Sequence, residues 1–271
     1  MTDQVPFSAM PQALGFYSIG LRPVAPRTLE RFLHENDVPA LDLRAGIRGF
    51  GLLDRPVAES RALLRRLHRK APLRMIASDV DLGDIFAPER HDEARDSILA
   101  LDALLSDVPQ CPIRLLGRYV PQPAEIECLQ ERIAFWPRRG LLLELHDPDW
   151  FHPNRAAPWR LCAAWPELRV LLDSDQIAQA MARHGTSPVA ASLAEMREHV
   201  GMVHLCDPGD GLDQNATNMI AQIIFSQKQS GLPVPVGFEF TGLHRTIVHS
   251  ARAYANARAH WQSLLAVIHF A

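Results

Sequence analysis

At 271 residues, with 47% hydrophobic and 22% charged residues, the chain has the balance of a globular protein able to bury a large core. A formal net charge of −3 offers no attraction for a nucleic-acid backbone, and no apolar stretch reaches membrane-spanning length. The four cysteines, Cys111, Cys128, Cys162 and Cys206, form no CxxC pair, which argues against a structural zinc site and against a disulfide framework.

The N-terminal residues lack a basic segment followed by an apolar run, so a cytoplasmic protein with reduced thiols is expected, with no membrane or nucleic-acid partner. Residues 1–12 read as an extension across one end of the fold. Strands are expected at 15–21, 39–44, 73–78, 113–118, 141–146, 169–173, 202–206 and 234–240. Amphipathic stretches lie between them. Leu29, Phe32 and Leu33 share a face, as do Ile98, Leu101 and Leu105, then Ile126, Leu129 and Ile133, and finally Met219, Ile220, Ile223 and Ile224. About eight strand–helix units are the number that closes a (β/α)8 TIM barrel, here as a single domain over residues 1–271. The rival, an open doubly wound sheet, would place a Gly-rich phosphate loop after the first strand. The chain has Gly20-Leu-Arg-Pro-Val-Ala-Pro there instead.

Runs in the second half each end in a residue that buried strands normally exclude: Leu-Leu-Leu-Glu144-Leu-His146, Val-Leu-Leu-Asp173, Met-Val-His204-Leu-Cys-Asp207 and Val-Gly-Phe-Glu239. A carboxylate inside a sheet is costly unless paired or metal-bound. Taken singly, each has an ordinary explanation. His204 reads as a core histidine, Glu144 and Glu239 as partners of arginines, and Asp173 as a helix cap. Jointly they point to one site. Side chains alternate along a strand, so Glu144 shares a face with His146, Asp173 with Leu171, His204 with Cys206, and Glu239 with Gly237 and Thr241. If those faces point inward, three carboxylates and an imidazole meet at the carboxyl end of the barrel. That oxygen-rich set suits Mn²⁺ or Mg²⁺, with Co²⁺ or Zn²⁺ as alternatives.

In these strands the chain resembles the xylose-isomerase-like barrels, which include sugar isomerases, 3-epimerases, inosose dehydratase and endonuclease IV. Leu-Glu144-Leu-His146 is similar to the family's Glu-Asn-His strand, Leu-Leu-Asp173 to its Leu-Asp strand, Val-His204-Leu-Cys-Asp207 to its Val-His-Leu-Lys-Asp strand, and Gly-Phe-Glu239 to its last strand. The resemblance implies that Glu144, Asp173, His204 and Glu239 hold a divalent metal, and that Glu144 and Glu239 also move protons on a sugar or polyol-type hydroxy-carbonyl substrate. It also implies departures. Gln176 stands where the family often has His, and Asp42 where the second strand often has Glu. His146, Gln176, Trp150, Arg118 and Asp207 are the expected substrate contacts; Arg44 and Arg245 also sit near strand ends. Such barrels often pair, so a homodimer is a further expectation. The alternatives are a catalytically silent ligand-binding barrel, a dehydratase and an endonuclease IV-like enzyme, the last disfavoured because strands two and three supply no histidine.

Overall fold

The computed structural model describes residues 13–21, 24–46, 49–108, 110–133, 136–137, 139–152, 158–229, 234–243 and 245–270; the expected N-terminal extension lies outside them. The strands are β1 (Leu14–Tyr17), β2 (Leu41–Arg44), β3 (Leu73–Asp81), β4 (Ile113–Gly117), β5 (Leu141–Leu145), β6 (Leu168–Asp173), β7 (Val200–Asp207) and β8 (Val236–Phe240). All neighbours are parallel, and β1 pairs with both β2 and β8, so the sheet closes into an eight-stranded barrel. Each expected strand is present. The first is shorter than expected, because the chain turns into a 3₁₀ segment at Ser18–Leu21. Ser18 Oγ there accepts the backbone N–H of Arg44 at 2.9 Å, which ties the end of β1 to β2.

The connecting helices are α1 (Pro26–Glu35), α2 (Val57–Lys70), α3 (Leu82–Phe86), α4 (Pro88–Leu104), α5 (Pro123–Glu127), α6 (Leu129–Ile133), α7 (Pro158–Ala164), α8 (Ser174–His184), α9 (Thr186–Met196), α10 (Gln214–Gln229) and α11 (Ile247–Phe270). Their starts follow local chemistry. Proline opens α1, α4 and α5, where its missing N–H has no helical partner to lose. Asp81 and Asp173 accept backbone N–H groups at the starts of α3 and α8. Gly185, at φ +87°, makes the break between α8 and α9 that an L side chain would resist.

Two apolar layers follow from strand alternation. Outward residues such as Leu43, Leu115, Leu143, Val170 and Val203 pack under the helices in one large core. Inward residues Tyr17, Met75, Ala77, Leu142, Leu171 and Met202 form a second cluster that fills the barrel. Leu142, Leu171 and Met202 each precede a polar residue by two positions on the same face. Beneath Glu144, Asp173 and His204 the barrel is therefore lined by these apolar residues, with the buried Asp42–Arg74 pair a charged exception.

Helix α11 seals the β1–β8 junction. Tyr254 Oη donates to the carbonyl of Leu14 at 2.7 Å and Ser250 Oγ to that of Gly20 at 2.7 Å. Tyr254→Phe keeps the packing but leaves the buried Leu14 carbonyl without its donor. We expect a loss of about 1 kcal/mol, read as a fall in Tm of roughly 2–4 °C for a domain of this size. An unchanged melting curve would show that this bond does not hold the closure.

Candidate metal centre

Strand alternation turns Glu144 of β5, Asp173 of β6, His204 of β7 and Glu239 of β8 into the barrel. All four are buried, and one ligand atom from each lies within 4.8 Å of the others. The sheet register sets this up: Asp173 lies beside His204, and Cys206 beside Glu239. Glu144 Oε2, Asp173 Oδ2, His204 Nδ1 and Glu239 Oε2 are buried and make no hydrogen bond. Buried polar atoms are normally satisfied, and the unsatisfied atoms on four clustered ligand-type residues fit a divalent cation. The donor set of three carboxylates and one imidazole fits a hard or borderline divalent ion.

Two arginines set the electrostatics. Arg114 of β4 is buried beside Glu144, with Nε 2.9 Å from Oε2 but out of hydrogen-bonding alignment. Its Nη2 donates to Tyr17 Oη at 2.8 Å and its Nη1 to the Ser78 carbonyl at 3.1 Å. On the other side, His146 Nε2 lies 3.1 Å from Glu144 Oε1. Burial alone would raise the Glu144 carboxyl, but Arg114 and then His146 outweigh it and hold it well below the usual range. Arg74 of β3 pairs with Asp42 of β2 at 2.7 Å, a self-neutralising couple. Among the buried groups, three carboxylates against the Arg114 guanidinium leave two negative charges when His204 is neutral. One divalent ion balances that remainder.

With no ion to compensate them, the surroundings favour the protonated forms of Asp173 and His204. Asp173 is pushed well above the usual carboxyl range by burial and then by Glu239 and Glu144. Burial would lower His204, yet Asp42 and Glu239 outweigh it and push it up to about 10. A metal must displace these protons, so uptake should release them and weaken as pH falls. The Asp173 proton is held more tightly in the fold than in the unfolded chain. Its contribution to metal-free stability is therefore present at low pH and lost as pH rises through the raised pKa.

The other expected contacts divide. His146 is half-buried at the mouth, beside Glu144. Gln176 sits in the first turn of α8, where its backbone N–H donates to Asp173 Oδ1 and its Oε1 is buried without a partner. Trp150, one of the expected substrate contacts, lies in the 3₁₀ turn after β5. It is 1% exposed, packs in the main core, and donates its indole N–H to the Gly117 carbonyl at 2.7 Å, so it anchors the loop. Asp207 turns Oδ1 into its own loop, accepting the Gly209 and Gly211 N–H groups at 2.7 and 2.9 Å. Arg118 is exposed, and Arg245 is spent on the Thr241 and Gly242 carbonyls. Arg44 pairs with Asp79 at 2.8 Å. Arg74 and Arg114 were missed by sequence reasoning. The signal was present, because each interrupts an apolar strand just as the four candidate ligands do.

Asp173→Asn removes the repelled charge while keeping a side chain that caps α8 well. We expect the metal-free variant to melt no lower than wild type at neutral pH. With Mn²⁺ at about a hundred times Kd, wild type should gain about 2.7 kcal/mol, and the variant little. An equal Mn²⁺-induced shift in both would remove Asp173 from the ligand set.

No protein-family model matches the chain, and a search of curated proteins finds no match either. Solved structures do match. The 3-keto-D-glucoside 4-epimerase of E. coli has 15% identity over 93% of this chain and 99% of its own, with a TM-score of 0.61. A xylose isomerase domain containing protein of Salmonella typhimurium LT2 has 12% identity over 93% and 98%, with a TM-score of 0.60. The probable 3-DHS dehydratase of Bacillus anthracis, involved in petrobactin synthesis, has 15% identity over 90% and 98%, with a TM-score of 0.59. At these identities the likeness is one of fold: the chain shares the closed eight-stranded (β/α)8 barrel with these proteins.

Proposed function

We propose that the chain is a divalent-metal-dependent isomerase or epimerase acting on a sugar or polyol-type hydroxy-carbonyl compound. The observation that carries this reading is the clustering of four buried ligand-type residues at the barrel mouth, each with an atom that makes no hydrogen bond. A ligand-binding barrel without chemistry gives no reason for that convergence. The solved epimerase with the same fold supports the substrate class.

Glu144, Asp173, His204 and Glu239 would hold the ion, Mn²⁺ or Mg²⁺ by their chemistry. When bound, it would polarise a substrate carbonyl and acidify the neighbouring C–H. Glu239 and Glu144 flank that position and would serve as the proton-transfer pair. They are not equivalent. Arg114 stabilises the ionised form of Glu144 and makes it a weak proton acceptor. Glu239 lies 3.4 Å from His204 and forms no ion pair with an arginine among the described residues, so proton abstraction would fall to it. His146, raised above its usual value by Glu144 against the effect of burial, can carry a proton on the other side. Leu142, Leu171 and Met202 pack inside the barrel beneath the site.

Dehydration begins with the same proton removal, and the dehydratase of the same fold keeps it as the second reading. The two differ in whether a neighbouring hydroxyl leaves. Mn²⁺-loaded protein incubated in D₂O with a panel of ketoses and keto-glycosides should introduce deuterium at the carbon beside the carbonyl. Glu239→Gln should keep appreciable metal, since an amide oxygen still coordinates, and lose turnover by on the order of 10² or more. Glu144→Gln is the poorer test, because it strands the Arg114 charge and costs about 3–5 kcal/mol. Full turnover in Glu239→Gln would defeat the acid–base assignment. Loss of water from the substrate would favour the dehydratase.

A further inference from the structure

Asp42 has no place in the ligand set, yet it is the most enclosed acid in the barrel, with no exposed surface. Arg74 grips it through two bonds, Nη2 to Oδ2 at 2.7 Å and Nε to Oδ1 at 3.2 Å. The guanidinium is itself fixed by donating Nη1 to the Val236 carbonyl at 2.9 Å. Held in this way, Asp42 places Oδ2 3.3 Å from His204 Nε2, while His204 Nδ1 lies 3.4 Å from Glu239 Oε2. The two ring nitrogens therefore face different carboxylates, and neither makes an aligned hydrogen bond.

Two glycines leave room for this chain of contacts. A Cβ on Gly237 would stand 2.4 Å from Asp42 Oδ2 and 2.7 Å from His204 Cδ2. A Cβ on Gly15 would stand 2.2 Å from Arg74 Nη2. The Tyr17 ring covers the imidazole, with centroids 5.0 Å apart, and so limits its tilt. A neutral imidazole offers one lone pair. To present it at Nδ1, the ring must carry its proton on Nε2, and an ionised carboxylate there can only accept that proton's hydrogen bond.

We propose that Asp42, clamped by Arg74, is a positioning residue for the metal centre: it takes the Nε2–H of His204 and thereby commits Nδ1 to the ion. The inference rests on the metal reading above. Asp42→Asn should invert the arrangement. Arg74 claims the single amide oxygen, the NH₂ group faces His204 Nε2, and the ring proton moves to Nδ1. Removing the competitor in Asp42→Asn/Arg74→Met frees the amide oxygen for the Nε2–H.

Mn²⁺ titration calorimetry on wild type and both variants, with melting curves as a check on folding, reads the consequence. Asp42→Asn should bind about 10–100-fold more weakly than wild type, and the double variant should recover most of that loss. In ¹⁵N-histidine spectra of Zn²⁺-loaded wild type, Nδ1 should be the ligated nitrogen and Nε2 the protonated one. Ligation through Nε2 would overturn the proposal, as would an Asp42→Asn affinity within about twofold of wild type or a double variant with no recovery. The spectra decide alone if Asp42→Asn does not melt cooperatively. A wild type that takes up no divalent ion would overturn the metal centre itself and this proposal with it. Unchanged affinity in Asp42→Asn would overturn the proposal only.

Discussion

Everything at the mouth of this barrel depends on how charge is kept inside a closed sheet. Glu144, Asp173 and Glu239 are buried within a few ångströms of one another, a placement that repulsion and desolvation oppose together. Arg114 relieves part of it, at the edge nearest Glu144. The remainder falls on Asp173, whose carboxyl is pushed above the usual range by burial and then by Glu239 and Glu144. The fold tolerates this because the rest of the interior is conventional. Leu142, Leu171 and Met202 pack the floor, and the outward faces of the same strands bury Leu143, Val170 and Val203 under the helices.

The two arginines do different work with the same chemistry. Arg74 is matched one-to-one with Asp42, and the couple is neutral and rigid. Arg114 donates to Tyr17 and the Ser78 carbonyl and lies beside Glu144 without an aligned hydrogen bond, so it leaves the carboxylate oxygen free. A fully matched pair under His204 gives geometry; a partly matched one beside Glu144 gives charge while leaving a ligand atom available. Rigidity below and unsatisfied oxygens above are what a pre-organised ion site needs.

Much of this was legible in the sequence. The alternation of short apolar runs with amphipathic stretches carries the barrel, and the period of two within each run carries the inward direction of Glu144, Asp173, His204 and Glu239. What parity could not carry was the third dimension across the barrel. Arg74 meets Asp42, and Arg114 meets Glu144, through contacts between strands whose stagger only closure of the sheet determines. Parity also failed beyond the strand ends. Trp150 lies past β5, where the chain turns, and nothing in Asp147-Pro-Asp-Trp150 tells an outward ring from an anchored one. The hydrogen bond to the Gly117 carbonyl decides it, and that partner belongs to the preceding strand.

The seam between β1 and β8 has a temporal side. Tyr254 reaches back to Leu14 across 240 positions, and Glu239 stands on the last strand to be made. At roughly 5–20 residues per second of synthesis, Glu239 leaves the ribosome's catalytic centre several seconds after Glu144. During that interval the nascent chain carries Glu144 and Arg114 on adjacent strands with no fourth ligand to complete the set. The arginine is thus the counter-charge that a growing chain already has in hand, and the four-residue cluster is complete only once the C-terminal quarter has closed the ring.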